Sequence, residues 1–164
     1  MKFSHTKTLV KLSFLPLIIT SFLYAKPIIV NKDELGLVRN LKVYKYPQWI
    51  AKVTTSKKKD IYFSSPKSLF EFYFLFKKWP EFDVKSVDDM ENIYVTDYKT
   101  FDAIDARRAY YVYGSNVTSI SGDDLVSFKN EYDAKEYMKN HNGKRIFRFS
   151  QVKHQLIQLL NGSI

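Results

Sequence analysis

The chain contains no cysteine. That absence excludes a disulfide framework, a thiol nucleophile and any thiolate ligand for a metal. Only five glycines and three histidines are present, and no phosphate-cradling glycine loop, Gly-x-Ser-x-Gly or His-Glu-x-x-His occurs, so the common hydrolase, nucleotide and zinc signatures are missing. Long hydrophobic runs are missing too. The apolar stretch from Leu12 to Leu23 is interrupted by Ser13, Thr20 and Ser21 and falls short of the ~20 residues a spanning helix needs.

What is present is apolar and aromatic material enough for a real core: 164 residues, 45% hydrophobic and 16% aromatic, a size that suits one compact domain or two small half-domains. The net charge is +9. Lys2, Lys7 and Lys11 lie in a segment that reads as an export signal, and removing those three leaves +6 on the mature part. Such an excess can steer a protein to acidic partners or a membrane surface, but the lysines are scattered, and the one run, Lys57-Lys58-Lys59, reads as a hairpin tip; a solvated basic surface is the preferred reading. The signal itself is lysine, then the apolar stretch, then Ala25 as a small residue for cleavage before Lys26. Leu23 is bulky where signal peptidase prefers a small side chain, which leaves an uncleaved N-terminal anchor as the alternative. Residues 1–25 are therefore expected to be a signal peptide or anchor, and residues 26–164 the mature domain.

A pattern repeats along the mature part. Trp49 to Thr55 and Asp60 to Ser64 read as a hairpin around Ser56 to Lys59; Ser65 caps a helix with Pro66 at its first position; Ile93 to Thr96 is a short apolar strand. Ala109 to Gly114 and Leu125 to Phe128 form a second hairpin, Asn130 caps a helix running through Asn140, and Arg145 to Phe149 returns as a strand. Phe63-Ser64-Ser65 and Phe128-Lys129-Asn130 each end a strand and cap a helix. The expected fold is α+β, two ββαβ units at about 43–97 and 105–150, with a short amphipathic C-terminal helix at Val152 to Leu160.

The stretches IYVTDYKTFDAIDARRAYYVYGSNV (Ile93 to Val117), SGDDLVSFKNEYDAKEYMKNHNGKRIFRF (Ser121 to Phe149) and YPQWIA (Tyr46 to Ala51) resemble the NosL family, periplasmic copper(I) proteins accessory to nitrous oxide reductase. The resemblance implies the same paired ββαβ fold, a location in the periplasm or tethered to the inner membrane, and a protein partner, nitrous oxide reductase or its maturation factors. It also implies a sulfur site. Family members carry Cys-x-x-Cys-Gly-Met shortly before the Tyr-Pro-x-Trp-Ile-Ala motif and a later Met-Gly. In this chain those fall on Gly36-Leu37-Val38-Arg39-Asn40-Leu41 and on Ser121-Gly122, so the ligand positions Gly36, Arg39, Leu41 and Ser121 are vacated. Copper(I) is soft and selects thiolate and thioether, and Arg39 would repel a cation. No cofactor is expected.

The remaining soft or imidazole side chains are few. Met138 and His141 stand three apart at a helix end and share a face; core packing for the methionine and complementation of the helix dipole for the histidine outweigh a metal role. Asp97, Asp102 and Asp105 with Arg107 and Arg108 read as turn caps and ion pairs rather than an acid–base pair, so no catalytic residue is assigned. Aromatics interleaved with lysine can bind single-stranded nucleic acid, but an export signal argues against that partner. Two functions remain: an accessory protein of nitrous oxide reductase maturation and copper handling without a copper site of its own, or an active copper(I) chaperone on non-standard Met and His ligands. The expected partner surface surrounds the vacated site: Arg39, Asp123 in the loop from Ser119 to Asp124, and Trp49, which has a competing assignment as core because it opens a strand and large aromatics there are more often buried.

Overall fold

The computed structural model describes residues 26–164; the expectation for residues 1–25 lies outside the described residues. A two-residue antiparallel ladder, β1 (Leu35–Gly36) with β2 (Leu41–Lys42), comes first. β3 (Ala51–Thr55) follows and alternates, with Ala51, Val53 and Thr55 buried and the residues between them partly exposed. Its hairpin partner β4 (Asp60–Phe63) buries Ile61 and Phe63. This period of two is what a strand covered on one face produces.

Helix α1 (Pro66–Leu75) starts where the sequence signals it: the Ser65 side chain accepts the backbone N–H of Ser68, and Pro66 takes the first position. β5 (Met90–Thr96) then returns beside β3, and a short strand β6 (Ala103–Asp105) adds to its outer side, giving the sheet order β4-β3-β5-β6. The second unit repeats the plan. β7 (Tyr110–Tyr113) and β8 (Leu125–Phe128) make the hairpin, Asn130 caps α2 (Glu131–Asn140) by accepting from the N–H of Asp133, and β9 (Arg145–Arg148) returns beside β7 in the order β8-β7-β9. The registers correspond: Ala51 faces Phe63 in the first hairpin and Tyr110 faces Phe128 in the second. The fold is α+β, two ββαβ units followed by α3 (His154–Leu160).

The two helices do different work. α1 is buried continuously from Pro66 to Phe70, and its aromatics reach both sheets. Phe72 packs on Phe63 of the first sheet with ring centroids 5.4 Å apart, while Phe70 meets Tyr111 of the second edge-on at 5.2 Å. α2 buries only Ala134 and Tyr137, against Val112, Val126 and Phe128 on the other face of the second sheet. The cores are cross-linked by Trp49. It precedes the first sheet in sequence yet is 3% exposed in the second core, edge-on to Tyr98 at 5.4 Å. The expectation of Trp49 on a partner surface is therefore corrected: a large indole placed at a strand entrance is held in the interior by aromatic packing.

Polar contacts close the same junction. Asp97 is buried and accepts from the N–H of Lys129 and the hydroxyl of Thr100, and the Ser127 hydroxyl donates to the Thr96 carbonyl at 2.6 Å. Asp105 caps the turn at Ala106–Arg108 through the N–H of Arg107, while the Arg107 guanidinium donates to the Met90 carbonyl. Among the described residues no helix is long and apolar enough to cross a membrane.

Because Phe70 joins both sheets, Phe70→Ala is expected to cost about 3–5 kcal/mol, read from urea denaturation. Tyr132→Ala, on the exposed face of α2 at 73% exposure, should stay within about 0.5 kcal/mol. Equal effects at the two positions would contradict the assignment of α1 as the shared element.

Candidate functional site

The loop joining β1 to β2 is tight. Val38 and Asn40 both have positive φ, 79° and 52°, in the left-handed region where asparagine is tolerated and a β-branched residue is strained. Gly36 sits against the end of β4: a Cβ there would lie 2.8 Å from the backbone nitrogen of Ser64 and 2.9 Å from Val43. Only glycine allows that approach. The hairpin is tied down by the N–H of Leu37 donating to the Tyr62 carbonyl at 2.8 Å.

Through this loop the chain delivers Arg39 to a polar pocket of about 390 Å³ that also takes Ser121 from the loop before β8, Lys67 and Glu71 from α1, and Leu160 and Asn161 from the end of α3. Arg39 pairs with Glu71 at 2.8 Å and donates to the Asn161 side-chain oxygen at 2.7 Å, and the Asn161 amide returns to the same Glu71 oxygen. Beneath this ring lies Lys67, 2% exposed. Its ammonium donates to the carbonyls of Ser121 at 2.7 Å and Leu160 at 3.1 Å.

A lysine in the first turn of a helix opposes the macrodipole, and a buried one needs compensation. Asp124 supplies it. Its carboxylate is buried, accepting from the backbone N–H of Lys67 at 2.8 Å, from the N–H of Leu125 and from the hydroxyl of Ser119 at 2.7 Å. It thus caps α1 from a distant loop. Burial pushes the Lys67 ammonium below its ordinary pKa, with Arg39 pushing the same way and Asp124, Asp123 and Glu71 opposing. Burial also pushes Asp124 up, against the hydrogen bonds it accepts.

Of the vacated positions, then, Arg39 and Ser121 come together. Gly36 lies one residue layer away, where Ser64 places its hydroxyl 3.2 Å from that of Ser121. Leu41 pairs with Gly36 across the small ladder and does not line the pocket. Asp123 is exposed on the same loop. Met138 packs into the second core, and His141 stacks on Tyr137 with ring centroids 4.2 Å apart. Among the described residues no group of three His, Cys, Asp or Glu side chains is placed to hold a metal. Lys67 and Asp124 were missed in the sequence. The available signal was the lysine at the second position of a helix, where the dipole disfavours it.

Comparison with known proteins places these features. The family model described as NosL matches residues 27–157. A stretch of 55 residues is 42% identical to the copper-binding lipoprotein NosL of Stutzerimonas stutzeri; it makes up 34% of this chain and 28% of that relative, so the match spans little more than a quarter of the curated protein's length. The fold is similar to that of the copper chaperone NosL from Shewanella denitrificans, with a TM-score of 0.66 at 22% identity over 80% of this chain and 98% of the other.

The folded chain holds the Asp124 proton more tightly than the unfolded chain does. The stability this group contributes therefore falls as pH rises from the ordinary value of 3.8 through the higher folded value, and is level above it. In urea titrations at several pH values, the unfolding free energy of the wild type minus that of Asp124→Asn is expected to decrease as pH climbs through the weakly acid range. A difference that rises there would show the carboxylate to be stabilised in its charged form.

Proposed function

Since the chain belongs to the NosL family, we infer that it is an exported accessory protein of copper handling and nitrous oxide reductase maturation, working in the periplasm through protein contacts rather than as a carrier of the metal. One observation carries this reading: Arg39 and Ser121, far apart in sequence, meet at a single pocket whose floor is the Lys67 ammonium. The left-handed backbone at Asn40 and Gly122 supports the same register, since both stand where the family motifs have glycine.

The donor set does not fit copper(I). It offers carbonyl oxygens, a carboxylate and hydroxyls, with a guanidinium and an ammonium in place of sulfur, whereas a soft cation selects thiolate and thioether. A unit positive charge about 4 Å from either cation meets a repulsion of about 4 kcal/mol at the effective dielectric of a protein surface. Lys67 instead works as an internal cation, gathering the carbonyls of the Ser121 loop and of α3. The retained role then lies on the surface around the pocket, including Asp123, exposed two residues beyond Ser121 on the same loop; no reaction is assigned to these groups. The 1–25 segment would deliver the protein as a cleaved signal or hold it at the inner membrane as an anchor.

The purified chain is expected to surrender copper(I) to a competing chelator, and Arg39→Cys and Ser121→Met combined, with Lys67 kept to hold the scaffold, should gain affinity. Stoichiometric retention by the wild type would overturn the reading. In parallel, Asp123→Lys should keep its stability within about 0.5 kcal/mol while weakening co-purification with nitrous oxide reductase. Unchanged co-purification would remove Asp123 from the partner surface.

A further inference from the structure

A second cavity shares no residue with the pocket over Lys67 and has a charge the proposed function does not use. It measures about 510 Å³ and is lined by β6, the turn after it, the start of β7, and Lys129 and Arg148 at the ends of β8 and β9. Three cations face it, Arg108, Lys129 and Arg148, against one carboxylate, Asp105. Asp105 already accepts the N–H of Arg107 at 2.9 Å. Among the described residues no ion pair joins Arg108, Lys129 or Arg148 to any acid.

Arg148 is the centre of this arrangement. Its guanidinium carbon stands 3.9 Å from the centroid of the Tyr110 ring, a contact that holds a guanidinium against an aromatic face and leaves its in-plane N–H groups for other acceptors. One of them, Nη1, is buried and has no hydrogen-bond partner. A buried charged donor without an acceptor is costly. The backbone around it is fixed: Arg148 pairs with Tyr110 across the ladder and its N–H donates to Gln151 at 2.7 Å, Lys129 is tied through its N–H to Asp97, and Arg108 sits on the capped turn. Ala103, Ile104 and Ala109 contribute the apolar part of the lining.

We propose that this cavity is an oxyanion site that takes a carboxylate carried on a small apolar body, with the Arg148 fork as its anchor and Arg108 and Lys129 completing the charge. A planar fork on a rigid support matches a carboxylate in two parallel hydrogen bonds, and the volume lies in the range of small-ligand sites. The carboxylate comes from a free organic acid or from an acidic side chain of another protein. The chemistry of the anchor is the same for both. The site stands whether or not the pocket over Lys67 binds metal.

The test is an amide NMR titration of the purified chain with glutarate, with a glutamate-containing peptide and with inorganic phosphate. Saturable shifts at Ala109, Tyr110 and Lys129 are expected with glutarate. They should weaken at least tenfold in Arg148→Gln and in Arg108→Gln, and remain in Arg145→Gln, a neighbouring strand residue outside the cavity. Arg148→Lys, which keeps charge but loses the fork, should also weaken binding while circular dichroism stays unchanged. Tighter binding of the peptide than of glutarate at the same amides would assign the carboxylate to a protein segment. Binding of phosphate but not glutarate, shifts that do not saturate, or shifts identical in the Arg148 and Arg108 variants would each overturn the proposal.

Discussion

One buried ammonium organises an entire end of this protein. Lys67 belongs to α1, but its hydrogen bonds go to the loop before β8 and to the last turn of α3, so three segments distant in sequence are held by a single charge. An ion taken out of water costs several kcal/mol unless acceptors replace its hydration. Two carbonyls do so here, and the nearby Asp124 carboxylate, bonded to the Lys67 backbone N–H, favours the charge through space. The Arg39, Glu71 and Asn161 ring closes over it, and the tight β1–β2 loop exists to deliver that arginine. Remove the ammonium and these parts lose their common point of reference.

The repeat of two ββαβ units is a repeat of topology and not of packing. Both units share strand order and cap placement, yet α1 is apolar on nearly every side and serves as common core for two sheets, while α2 is one-sided and leaves Tyr132 and Lys135 in solvent. The asymmetry follows from composition: Leu69, Phe70 and Phe72 occupy adjacent faces of α1, whereas α2 carries Glu131, Lys135, Glu136 and Lys139 around a narrow stripe. Two equally greasy helices would leave an apolar face uncovered; this pair does not.

Much of this was legible in the sequence, where local rules act alone. Ser65 and Asn130 are caps because a short polar side chain precedes an apolar helix, β8 spans the predicted residues, and the NosL resemblance of the Ile93 to Phe149 region is matched by the family comparison and the fold. The α3 helix begins at His154 rather than Val152 because Phe149–Gln151 forms a separate turn of 3₁₀ helix. Other elements left no periodic trace. β1, β2 and β6 are two or three residues long, too short for alternation to register, and β6 depends on its pairing with Tyr94 to Thr96. For Trp49 the sequence supports both a surface and a core position, and only the fold decides, by bringing Tyr98 and the β7–β8 hairpin against it. The lysine at the second helical position marks Lys67 as unusual, but its partners, like those of Asp124, lie far away in the sequence and leave no local trace.

The position of Trp49 bears on the order in which this chain can assemble. A polypeptide made from its N-terminus presents the indole early, but Tyr98, which it meets edge-on, and the Val112, Val126 and Phe128 of its core cluster come later, the last three more than sixty residues on. Until then the first unit has a hydrophobic side chain with nowhere to go, and α1, which needs Tyr111 and Leu125, is equally incomplete. The two units are thus not a pair of independent folding events despite their matching plans. Non-local closure of this kind slows folding and prolongs exposure of apolar surface, so the first unit stays incomplete until the second hairpin is in place.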